Sequence, residues 1–297
     1  MNLITNLYSA LAQGTLWGIM ALGVYITFRI MDIADLSCEG SFALGGCITA
    51  ICIIKGINPF LTLLIAMAGG MVAGLATGIL HTRLMIPAIL AGILTMIALW
   101  SVNIRVMGGP NVSLLGEDTV FTIVMDTFGI DQTLATLIVG IGIGIIVIAM
   151  LYWFFGTEIG SALRATGNNE YMVRALGGNT DTTKAIALII SNGMIAVSGA
   201  LVAQNQGYGD IKMGTGAIVI GLASIVIGEV IFGKRFNFAY ILGSIIGGSI
   251  VYRMIISLVL HLGLSTDDMK LFTAIIVALS LGIPAIKAKY SQRRIPA

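Results

Sequence analysis

Hydrophobic residues fall in long runs along this chain, and the polar positions gather between them. A helix crosses the hydrocarbon core of a bilayer with about 20 consecutive apolar residues. On that measure nine segments stand out, at roughly 7–28, 38–54, 60–80, 88–106, 133–155, 184–204, 216–232, 238–260 and 270–286. The second and seventh are short and interrupted by glycine, which marks candidates for broken or re-entrant helices that line a pathway. The pattern predicts an all-α, polytopic membrane protein with about nine spans, some of them short or broken.

One run cannot sit in hydrocarbon. Residues 156–183 read GTEIGSALRATGNNEYMVRALGGNTDTT, between two very apolar segments. A polar block of this length, starting helical and ending at Gly177-Gly178-Asn179, is expected to fold on a membrane surface. A docking helix is predicted over Gly167–Leu176, ended by Gly177-Gly178 because glycine readily takes the left-handed cap conformation.

Composition agrees with the pattern. The chain is 57% hydrophobic and 10% charged, where a soluble domain carries about 25% charged residues. Glycine, at 38 residues, is expected where helices approach closely, and Gly70, Gly74 and Gly78 form one such ridge. A net charge of +2 gives no reason to expect a nucleic-acid partner. Cys38, Cys47 and Cys52 fit no metal-ligand spacing and read as small core residues.

Lys and Arg placement orients the spans. With 156–183 in the cytoplasm, Arg29, Arg83, Arg164, Arg174, Lys184, Lys234, Arg235, Lys287, Lys289, Arg293 and Arg294 fall inside. Lys55, Arg105, Lys212, Arg253 and Lys270 fall outside or in the outer half of a span. The split predicts an external N-terminus and a cytoplasmic C-terminus.

Polar residues within or beside the spans are the candidates for function. Asp35, Ser37 and Glu39 lie in the turn entering the second span, read as its cytoplasmic mouth. Asp35 or Ser37 could simply cap the helix, or the turn could form part of a gate. Asn103 and Arg105 are placed at the outer end of the fourth span, where an arginine can snorkel or help line a vestibule. Asn192 is expected to bond a neighbouring helix or a solute. Glu229, near an inner end, should face the protein interior and find a partner. Arg253, in an outer half, could snorkel, pair with an acidic loop residue or line a route. GEVIFGKR, Gly228 to Arg235, lacks the Ser or Thr that completes a phosphate-binding loop, and an apolar helix rather than a strand precedes it. No Ser–His, paired-Asp or His-rich arrangement is present at usable spacing, so no catalytic residues are assigned and an enzyme is not expected.

Several motifs together carry a family resemblance. Thr157, Gly160, Arg164, Ala165, Asn169, Gly177 and Asn179, then Ser198-Gly199 and Gly243/Gly247/Gly248, resemble the permease subunit of bacterial ABC importers of the branched-chain amino-acid and simple-sugar class. ADLSCEGSFALGG resembles that family's inner-turn motif with one residue added. This longer form, with LWSVNIRVMGGPNVSLLG and IVIGEVIFGKR, is similar to a subgroup associated with amino acids, aromatic ones especially. The resemblance implies one permease domain over 1–297 with a cytoplasmic coupling segment at 156–183. Arg164, Gly167, Asn168, Asn169, Glu170, Arg174 and Gly177 would then meet an ATPase.

It further implies a bacterial plasma membrane, a second permease copy, cytoplasmic ABC ATPases that hold the ATP and Mg, an extracellular solute-binding lipoprotein, and no cofactor on this chain. An ion-gradient-driven transporter using Glu229 or Arg253, and the same permease type carrying a sugar or nucleoside, are the alternatives.

Overall fold

The computed structural model describes residues 3–233, 237–261, 271–275, 278 and 282. Among them seven helices are long and apolar enough to cross a membrane. They are α1 (Leu3–Tyr25, continued by a π-helical turn over Ile26–Ile30), α2 (Ser37–Ile54), α3 (Pro59–Thr82), α4 (Ala88–Met107), α6 (Gln132–Gly156), α9 (Thr180–Gln206) and α11 (Phe238–His261). A shorter apolar helix, α10, covers Ala217–Phe232. The first eight expected spans each coincide with one of these helices. The ninth, near 270–286, lies mostly outside the described residues, as do Lys234, Arg235, Lys270 and the basic tail, so a count of nine is not reached.

The stretch between α4 and α6, which lies outside the predicted spans, is folded as well. It carries β1 (Asn111–Ser113) and α5 (Val120–Phe128), an amphipathic helix closed by a Thr119–Thr122 capping box. β1 pairs antiparallel with β2 (Tyr208–Asp210), the segment that leaves α9. This ribbon marks one end of the bundle, and α7 (Glu158–Asn168) and α8 (Glu170–Ala175) mark the other. They are called here the ribbon end and the corner end.

α1, α2 and α9 are the most buried helices, while in α3, α4, α6 and α11 less than half of the most apolar window is buried. Such outer faces suit lipid or a second protein. Helix starts are set locally. Asn58 caps α3 with Pro59 at its first position, Asp131 caps α6, and Asn179 caps α9 by accepting from Thr182 N–H at 3.1 Å.

The Gly70/Gly74/Gly78 ridge does what its spacing predicts. It lets α3 lie directly on α9, so that a Cβ at these positions would strike the backbone of Asn192, Leu188 and Ala185 respectively. Neither backbone can yield as a flexible side chain would, since interiors are close-packed. Gly74→Val is therefore expected to lose at least the ~1–3 kcal/mol typical of overpacking, read as a lower thermal midpoint of the detergent-solubilised protein. Gly142→Ala, at a position with open space around it, is the control and should leave the midpoint unchanged.

Candidate functional site

Two helices begin inside the bundle rather than at its surface, and the first functional candidates sit at their starts. After the π-helical turn the chain climbs back into the interior, so α2 starts at Ser37 beside Asn192, the midpoint of α9. Asp35 is buried there. Its Oδ1 accepts from Ser37 N–H at 2.8 Å and Ser37 Oγ at 2.5 Å, and its Oδ2 accepts from Asn192 Nδ2 at 2.8 Å. Asp35 thus serves the first N–H of α2 and holds that start onto α9. The turn is not at a mouth of the bundle. Asn192 lies about 18 Å along α9 from Thr180, at about 1.5 Å per residue.

α10 starts at the same depth. Glu39 Oε1 accepts from Gly216 N–H at 3.0 Å, just ahead of the first turn of α10, where a carboxylate complements the helix dipole. Asn103 is also deeper than its place near the end of α4 implied. Its Nδ2 donates to Gly40 O at 3.3 Å, and about 21 Å of helix separates Gly40 from Ile54 at the ribbon end of α2. Arg105, one face round, is exposed and stands apart. Between α2, α4 and the turn at 211–215 lies a cavity of about 380 Å³ whose walls include Glu39, Trp100, Asn103 and Thr215.

At the corner end α10 is tied to α1. Arg29 donates from Nε and Nη2 to the two carboxylate oxygens of Glu229, each at 2.9 Å. Glu229 has therefore found the partner its position demanded. Arg253 sits on α11 with its guanidinium 4.3 Å from the Trp17 ring centroid, in a cation–π contact. It lines a separate cavity of about 560 Å³ with Asn6, Ser9 and Gln13. It is brought together with none of the other candidates.

The polar segment folds as a corner of two helices, not as one docking helix over Gly167–Leu176. Asn169 breaks it. That residue is extended (φ −157°, ψ 97°) and its Oδ1 accepts from Met172 N–H at 3.0 Å, the local bond by which Asn competes with helix continuation. Thr157 starts α7 the same way, accepting from Gly160 N–H at 3.3 Å. α8 ends as predicted. Gly177 is left-handed (φ +84°), Gly177 N–H donates to Arg174 O at 3.0 Å, and Gly178 N–H donates to Val173 O at 2.9 Å, which together form a Schellman cap.

Gly167 belongs to the end of α7, where it packs on the backbone of Ile30 and Met31 so closely that a Cβ would collide with the Ile30 carbonyl. Arg164 folds back, donating to Phe155 O at 2.6 Å near the end of α6. Asn168 is exposed at the bend.

A charged clasp fixes α8 to α9. Glu170 Oε1 accepts from Lys184 Nζ at 2.7 Å and pairs with Arg174 at 2.8 Å; Arg174 also reaches Thr180 Oγ1 at 2.7 Å and Asp181 at 3.2 Å. The Lys184 hydrogen bond holds the Glu170 carboxyl below its ordinary pKa; desolvation opposes this in part, and the charges of Lys184 and Arg174 add to it. With its polar groups engaged inward, α8 presents Tyr171 and Leu176, 86% and 80% exposed, at its surface, with Met172 partly exposed beside them. Sequence reasoning chose the polar residues of this segment and missed these apolar ones. The available signal was their spacing around a helix whose charged residues pair with one another.

The clasp has a definite pH sign. A carboxyl whose folded pKa is depressed contributes stability that is complete above its unfolded pKa and is lost as pH falls through the folded value. Amide-exchange protection over 158–183 should therefore hold at neutral pH and decline below the ordinary glutamate range. Glu170→Gln should show weaker protection at neutral pH and lose that acid dependence.

The comparisons with known proteins agree with this architecture. A family model described as branched-chain amino acid transport system / permease component matches residues 6–284. A tyrosine transport system permease protein of Clostridioides difficile (strain R20291) is 38% identical over 92% of this chain and 90% of its own length. The ribose import permease protein RbsC of Escherichia coli (strain K12) is 27% identical over 67% of this chain and 61% of its own. Among solved structures, PsaBC from Streptococcus pneumoniae in complex with Fab shares the fold at 16% identity, with a TM-score of 0.52 covering 94% of this chain and 91% of that one. The helices long enough to span, the half-helices that start at mid-depth and a family match over nearly the whole length lead to one assignment: the chain belongs to the permease-component family of branched-chain amino acid transport systems.

Proposed function

We propose that the chain is the transmembrane subunit of an ATP-driven importer of an amino acid, aromatic or branched-chain, and that it couples solute passage to a separate cytoplasmic ABC ATPase. The observation that carries the reading is the α7–α8 corner. It is rigidly clasped on its inner side, apolar at its exposed tip, and connected to the half-helices of the interior. Tyr171, Met172 and Leu176 form the knob that enters a groove of the ATPase, and ATP and Mg²⁺ belong to that partner. Movement of the corner is delivered through Gly167 to Ile30 on the π-helical turn, and through Arg29–Glu229 to α10, whose other end abuts Glu39 in the interior.

The solute route runs past the cavity between α2 and α4. A carboxylate and a buried amide opening onto an exposed helix face at mid-depth are not compatible with lipid, so a second copy of the chain covers that face. A solute-binding lipoprotein meets the ribbon end on the outside of a bacterial plasma membrane. The Lys and Arg distribution supports an external N-terminus and a cytoplasmic C-terminus. The tyrosine relative supports an amino-acid cargo. The ribose relative keeps a sugar as the second reading.

In vesicles containing the permease, its ATPase and its binding protein, uptake should require ATP and survive a protonophore. Uptake without ATP that a protonophore abolishes would replace this reading with an ion-driven transporter. Tyr171→Ala with Leu176→Ala should lower ATP-dependent uptake at least tenfold while the permease keeps its thermal midpoint. Normal uptake in that variant would remove the knob assignment.

A further inference from the structure

The mid-depth cavity has walls of one chemical sign. Among the described residues that line it, Glu39 is the only ionisable one, with no Lys, Arg or His. Asn103 is 1% exposed and commits its Nδ2 to Gly40 O, which leaves Oδ1 as a buried acceptor without a donor. Buried polar atoms of this kind are few in folded proteins, and each calls for an explanation. Ser101 and Thr215 add hydroxyls that can accept, and Trp100 adds a half-exposed ring. A carboxylate offers about four lone-pair sites, so Glu39 retains acceptor capacity beyond the bond from Gly216 N–H. The site is rich in acceptors, negative, and provided with an aromatic face that favours cations.

We propose that this cavity recognises the ammonium group of the transported solute. The Glu39 carboxylate and Asn103 Oδ1 accept its N–H bonds, and Trp100 packs against the attached carbon skeleton. The inference rests on the importer reading and adds the group that is read at the middle of the route. A neutral sugar draws no benefit from the charge of Glu39, and an anion without an ammonium group is repelled.

The competing role for Glu39 is structural, as an acceptor for the start of α10. Glu39→Gln separates the two, because the amide keeps an oxygen for Gly216 N–H while it loses the charge and turns the second oxygen into a donor. Reconstituted vesicles with ATPase and binding protein are offered L-tyrosine, L-leucine and ribose in turn. The wild type is expected to take up an amino acid. Glu39→Gln should lower that uptake at least tenfold with the thermal midpoint and ATPase assembly unchanged. Adding Asn103→Asp, which returns a carboxylate to the facing wall, should restore part of it.

Three outcomes overturn the proposal: wild-type rates in Glu39→Gln, a loss that Asn103→Asp does not relieve, or a wild type that carries only ribose. The last leaves the ATP-driven importer standing. ATP-dependent uptake of none of the three by the wild type counts against the amino-acid importer itself, and the ammonium site falls with it.

Discussion

A helix that starts in the middle of an apolar bundle leaves about four N–H groups where no water can satisfy them. This chain starts two helices there, and the structure depends on how their N–H groups are met. Asp35 and Glu39 stand four residues apart on one segment and attend to one start each, Asp35 at α2 and Glu39 at α10. The solution imposes further requirements. Asp35 needs a second donor for its other oxygen, which makes Asn192 polar at the centre of α9. Asn192 in turn needs a continuous scaffold, and α9 is the longest helix described. The α3 glycines then bring that helix against the backbone around Asn192.

The corner obeys the opposite logic. It is polar by composition, yet its polar groups are largely turned to holding its own shape. Thr157, Asn169 and Asn179 each start a helix, Glu170 and Arg174 bind α9, and Arg164 returns to α6. The most exposed large side chains that remain, Tyr171 and Leu176, are apolar. An exposed apolar surface on a stiff mount transmits force with little lost to rearrangement, whereas an exposed polar helix would spend its contacts on water. The close seat of Gly167 on the Ile30 backbone extends that stiffness into the bundle.

Much of this was legible in the sequence because it is encoded locally. Apolar runs gave the helices, glycine at four-residue spacing gave the α3 ridge, and Gly177-Gly178 gave the end of α8. The short second and seventh segments do correspond to helices that start inside. Depth was not legible. Hydropathy assigns a polar residue to the nearer end of its apolar run, and so placed Asp35 and Glu39 at a mouth and Asn103 at the opposite surface. Only bonds between distant residues, Asp35 to Asn192 and Asn103 to Gly40, bring them to one level. Asn169 was read inside a helix because the same residue suits a polar helix surface and a cap. Its dihedral angles make the choice, and composition does not encode them. The β1–β2 ribbon escaped notice for a similar reason, since three-residue strands leave no periodicity to count.

Both ends of α10 are tied down, by different means. At the corner end Arg29 and Glu229 form a two-bond fork, with the carboxylate 13% and the arginine 45% exposed, a geometry that fixes orientation as well as charge. At mid-depth Glu39 binds the helix start through a charge-assisted bond shielded by the bundle, of the kind that contributes about 1.5–3 kcal/mol. Each end of α10 is therefore held through a carboxylate, its own Glu229 at the corner end and Glu39 of α2 at its start. Gly248 and Gly228 pack α10 and α11 backbone to backbone, which ties the two helices together along their length. α10 thus links the carboxylate that lines the cavity to the turn over Ile26–Ile30, on whose last residue Gly167 of the corner is seated.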